Sequence, residues 1–128
     1  MIRSFPEACK KLKLNPAKVL PRITGMPKRH QAAIIAQAKL IIIAEAMNDG
    51  WKPDWNNSDE WKYYPWFWMN EPGFRFVGSY CTYSFAHAGS GSRLCFRTRE
   101  LSDHAGKKFL SLWRDLMVLP APAKRKKK

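Results

Sequence analysis

The sequence predicts an α+β fold in which a long central helix and a C-terminal helix pack on a small antiparallel sheet. Three observations predict it. Pro27 to Asn48 is an apolar run of helical length. Short alternating segments with glycine-containing turns follow between residues 63 and 99, a spacing that favours antiparallel hairpins. Leu101, Ala105, Phe109, Leu112, Trp113 and Leu116 then form one apolar stripe at spacings of three and four.

The elements follow in order. Ser4 and Glu7 have the spacing of a capping box and open a short helix. Asn15-Pro16 should end it, because a residue before proline avoids the helical region. A connector with Pro16, Pro21 and Gly25 leads to the long helix, with Pro27 in its first turn and Gly50 at its exit. Ile34, Ile35, Leu40, Ile41, Ile42 and Ile43 make that helix apolar on nearly every side, so it needs cover from its own domain or from a second copy. Gly50 to Met69 holds an aromatic block, read as an ordered loop followed by a strand. Phe74–Phe76, Ser79–Phe85 and Ser92–Arg99 read as further strands. Leu101–Leu119 reads as the last helix, weakened at Gly106 and stopped by Pro120. Residues 1–120 are thus expected to be one domain and residues 121–128 a disordered basic tail.

Charge narrows the function. The 128 residues carry a formal net charge of +13. Residues 1–39 hold nine Lys/Arg against one acid, residues 40–79 three against six, and residues 80–128 eleven against three. Five of those eleven lie in the tail, so the folded part is basic in its own right. Such a field attracts nucleic acid, nucleotides or other anionic surfaces. Three cysteines without a CxxC pair read as free thiols of a reducing compartment. The first residues lack the apolar stretch of a signal peptide, and Gln37, Lys39 and Glu45 interrupt the most apolar segment, so a cytoplasmic protein without a membrane partner is expected.

The expected site is an anion site. As a strand, Ser92–Arg99 would place Arg93, Cys95, Arg97 and Arg99 on one face. Arginine's planar donor fork suits phosphate, and Ser90 and Ser92 lie in the preceding turn. The alternative is that Glu60, Glu71 or Glu100 neutralises these arginines on a solvated face. Trp61, Tyr64 and Trp66 are candidate stacking residues, although aromatics packed as core is the plainer reading of their block. Lys107, Lys108 and Arg114 lie off the last helix's apolar stripe as auxiliary basic residues. Cys81, His87 and Cys95 match no standard zinc spacing, and no catalytic motif occurs, so neither metal, cofactor nor enzyme activity is expected.

The segment Asn48-Asp49-Gly50-Trp51-Lys52-Pro53-Asp54-Trp55-Asn56-Asn57-Ser58-Asp59-Glu60-Trp61-Lys62-Tyr63-Tyr64-Pro65-Trp66-Phe67 resembles a family of small uncharacterised proteins of Bacteroidetes phages, prophages and mobile elements. The resemblance continues through Gly91–Leu101 and Ala105–Phe109 and includes the long helix. It implies an accessory protein in a bacterial host cytoplasm and carries no functional residues with it. The expected function is non-enzymatic binding of a phosphate-rich ligand, with nucleic acid first. One alternative is a counter-defence protein that sequesters a host (cyclic) nucleotide signal in a basic pocket. Another is an interaction module that inhibits a host factor. A homo-oligomer, in the first instance a dimer, is expected from the long helix.

Overall fold

The computed structural model describes residues 1–70, 73–86, 88 and 92–120. Helix α1 spans Phe5–Lys11 and α2 spans Lys28–Asn48. Strands β1 (Lys62–Trp68) and β2 (Arg75–Thr82) follow, then helices α3 (Arg99–Lys108) and α4 (Leu110–Met117). The arrangement is α+β, with an antiparallel β1–β2 ribbon and helices packed on it.

The first helix begins as its capping residue dictates: Ser4 Oγ accepts from the Glu7 N–H at 3.2 Å. It ends earlier than Asn15-Pro16. Lys13 turns left-handed at φ 59°, and the Leu14 N–H reaches back to the Cys9 carbonyl at 2.8 Å, closing the helix as a Schellman turn does. The exit of α2 likewise comes at Asp49, which takes the left-handed conformation (φ 49°) one residue before Gly50.

The sheet is smaller than expected. Residues expected in separate strands, Phe76 and Ser79 among them, run together in β2. Trp66 opposes Gly78 while Phe67 opposes Phe76, so Val77 bulges out of the ladder. Ser92–Arg99 is not a strand. Its main-chain pairing with the sheet is a bridge of Tyr63 with Phe96, made by reciprocal bonds of 3.0 and 2.7 Å. Two competing partners hold the segment elsewhere. Asn48 at the end of α2 bonds both sides of Phe96, and the Thr98 hydroxyl caps α3 by accepting from the Leu101 N–H at 3.1 Å.

The C-terminal helix is broken, not continuous. Phe109 leaves the helical region (φ −108°, ψ 30°) between α3 and α4. The break lets each half bury a different face. α3 lays Ser102, Ala105 and Gly106 toward the ribbon, where Gly106 meets the Phe76 ring and Pro65. α4 turns Trp113 into the core that it shares with α2. α2 also packs on α1, and its Leu40, Ile43, Ala44 and Met47 join Leu94, Phe96, Phe109 and Trp113 in one apolar cluster. No helix among the described residues is long and apolar enough to cross a membrane.

Candidate nucleic-acid interface

The ribbon has two unlike faces because side chains alternate along a strand. Pro65 and Phe67 of β1 and Ser79 of β2 turn toward α3. Phe67 stacks on Phe74 (centroids 4.8 Å apart) and tilts against Trp113 at 5.3 Å. The Ser79 hydroxyl meets the Ser102 hydroxyl at 2.7 Å and the Asp103 carboxylate at 2.6 Å. The other face is split. At one end the 51–60 loop closes over Lys62, whose side chain is fully buried. At the far end the aromatics stay exposed. Trp66, Trp68 and Tyr80 are 41%, 45% and 50% exposed.

These rings are ordered by each other. Trp66 lies against Tyr80 with centroids 3.8 Å apart. The Arg75 guanidinium sits 5.1 Å from the centre of the Trp68 ring, at the register position opposite it. Trp61 meets Tyr83 edge-on at 4.8 Å beside the loop, and both are also exposed. Rings held in this way lose little freedom when a flat ligand stacks on them.

The expected arginine row does not form. Arg93 is exposed and lines a cavity with Ser92, Trp51 and Lys52. Arg97 is exposed, its main-chain N–H is held by Asn48, and among the described residues its side chain has no hydrogen bond or ion pair. Arg99 belongs to α3: its guanidinium donates to the Ser79 carbonyl at 2.5 Å and lies 5.2 Å from the Tyr63 ring. The row fails because the segment is pinned at Asn48 and then coils into α3, which removes the alternation. Ser90, Glu71 and His87 lie outside the described residues.

The stacking candidates divide. Trp61 and Trp66 are partly exposed, whereas Tyr64 is buried at 5% exposure. Lys107 and Lys108 are exposed on α3, with the Lys107 ammonium 5.6 Å from the Phe76 ring. Arg114 lies elsewhere, on a groove of about 900 Å³ that it shares with Arg29 and His30. The expected stacking residues did not include Trp68 and Tyr80. The signal was present in the alternation of Trp66 and Trp68 within one strand, but the counts of aromatic residues favoured core.

Two of the three thiols are buried, and that of Cys95 donates to the Ser92 carbonyl at 3.6 Å. Burial pushes the Cys95 thiol up to about 11 even though the nearby Lys62 ammonium favours its ionised form. Burial also raises Cys9. Among the described residues, no three His, Cys, Asp or Glu side chains gather as metal ligands would.

No protein-family model matches the chain, and no curated protein or solved structure is significantly similar to it.

Proposed function

We propose that the protein binds single-stranded nucleic acid without catalysing a reaction, as an accessory protein of the phage or mobile element that its sequence resembles. One observation carries the reading: the open end of the ribbon presents Trp66, Trp68 and Tyr80 with Arg75 among them, in a chain of net charge +13. Exposed rings of this size are costly unless a partner covers them. Bases stack on such rings at about 1–3 kcal/mol each, and a basic surface draws the phosphates. Duplex DNA keeps its bases stacked internally and cannot use the rings in this way.

Fluorescence titration of labelled single-stranded DNA, single-stranded RNA and duplex DNA across a salt series tests the proposal. Single strands should bind more tightly than duplex, with affinity falling linearly in log–log form against salt. Trp66→Ala and Trp68→Ala should each weaken single-strand binding by about 1–3 kcal/mol. Equal affinity for duplex, untouched by either substitution, would leave only a basic surface. Absence of any nucleic-acid binding would favour a protein partner for the aromatic patch. A dimer through α2 belongs to the same reading, because Ile34, Ile35, Ile41 and Ile42 are only half-buried. A monomer at every concentration in sedimentation equilibrium removes it.

A further inference from the structure

A second site lies at the C-terminal end of α2, apart from the ribbon's open face. There a cavity of about 380 Å³ is bordered by Trp51, Lys52, Ser92, Arg93 and Glu45, with Asn48 among its walls. Its size falls within the range of about 300–1,000 Å³ found for small-molecule sites. Glu45, Lys52 and Arg93 share the cavity, yet among the described residues none of them forms an ion pair or a side-chain hydrogen bond. The Trp51 ring likewise meets no other ring and no cation there. Two cations, a carboxylate and an aromatic face are therefore all open to the same space.

The wall behind them is fixed. The Asn48 side-chain amide donates to the Cys95 carbonyl at 2.9 Å and accepts from the Arg97 N–H at 3.1 Å. It ties the segment carrying Ser92 and Arg93 to the end of a 21-residue helix. Ordering made in advance lowers the entropy cost of binding.

We propose that this cavity binds a guanine nucleotide, with guanosine monophosphate as its simplest form. Arg93 and Lys52 take the phosphate, with the Ser92 hydroxyl beside them. Trp51 supplies a stacking face. Glu45 selects the base. An ionised carboxylate is acceptor-only, with two oxygens to satisfy. Guanine offers two parallel donors, its N1–H and its 2-amino group. Adenine places a single amino donor next to an acceptor nitrogen. Uracil flanks its one N–H with carbonyl oxygens, which repel a carboxylate. This site does not rest on the stacking role of the ribbon, and the two can fail separately.

Calorimetric titration of the full chain with guanosine, inosine, adenosine and uridine monophosphates, guanosine and inorganic phosphate tests it. Guanosine monophosphate should saturate one site per chain and raise the thermal midpoint. It should bind about tenfold or more tightly than the adenosine and uridine forms. Inosine monophosphate, which lacks the 2-amino group, should be weaker as well, and that comparison needs no variant. Glu45→Gln should abolish the preference for guanine. Arg93→Ala should weaken every nucleotide by about tenfold or more. Trp66→Ala, whose expected loss is in single-strand binding, should leave the affinity for guanosine monophosphate as it is. No saturable binding, equal affinity for all four nucleotides, or a guanine preference that survives Glu45→Gln would overturn the proposal. Saturation by inorganic phosphate alone would make this a bare anion site, and loss of binding in Trp66→Ala would move the ligand to the ribbon; either result also overturns it.

Discussion

The ammonium of Lys62 donates to the main-chain oxygen of Tyr83 across 2.6 Å and so ties the start of β1 to the residue just past β2. The same ammonium donates to the carbonyls of Asn57 and Glu60 at 3.1 and 3.0 Å. The Glu60 carboxylate lies 3.5 Å away, and the Trp55 ring 5.2 Å away. A charge this buried persists only when every donor is satisfied.

Lys62→Met should therefore destabilise the fold by about 3 kcal/mol, because it strands three carbonyls that the ammonium had served. Urea unfolding measures the loss. Lys62→Arg should not recover it, since the longer planar fork does not fit a pocket built around one point charge. A change below about 0.5 kcal/mol in Lys62→Met would show that the knot adds nothing to stability.

Gly106→Ala should destabilise although alanine is the better helix former by about 1 kcal/mol. A Cβ there would overlap two carbons of the Phe76 ring and lie 3.0 Å from the Pro65 Cβ. The overlap should cost about 1–3 kcal/mol net, as overpacking does. Pairing it with Phe76→Leu should recover part of the loss. A more stable single variant would mean that the ring moves aside freely.

Cys95 should give stability an alkaline limb. Its folded value is raised from 9.0 to about 11 by burial. Between those values the unfolded chain has released the proton while the folded chain keeps it, so the unfolded state binds fewer protons and stability falls as pH rises. The contribution is fully present below about pH 9 and lost by about pH 11. Urea unfolding across this range should show a shallower decline in Cys95→Ala than in the unaltered protein. The same burial should leave Cys95 unreactive toward thiol reagents at neutral pH, where exposed thiols react. Parallel declines in the two proteins would remove this role.

Arg97 and Arg99 should separate in a stability measurement. Arg99→Ala should cost about 1 kcal/mol, since it removes a charged donor from the Ser79 carbonyl. Arg97→Ala should be nearly silent, because Asn48 holds the main chain there and not the side chain. Equal losses would contradict this division.

Much of the fold is written locally. Ser4 caps α1, the apolar run from Lys28 to Asn48 is one helix, and the stripe through Ala105, Phe109 and Trp113 faces the core. Such features depend on periodicity and on capping side chains a few residues away. The free state of the thiols and the basic charge follow from composition in the same way.

The sites were decided by tertiary structure. Alternation alone gave Ser92–Arg99 the pattern of a strand, but a strand exists only where a neighbour accepts its main-chain bonds. Asn48, 47 residues before Cys95, claimed those bonds instead, and the arginine row dissolved. Burial within the aromatic block depended in the same manner on distant partners. Pro65 met α3, Phe67 met Trp113 of α4, and Lys62 met the loop, while Trp66 and Trp68 stayed 41% and 45% exposed. A sequence reports which residues alternate. Which of the two faces receives a covering layer depends on long-range packing, so an exposed tryptophan and a buried one look alike until the chain has folded.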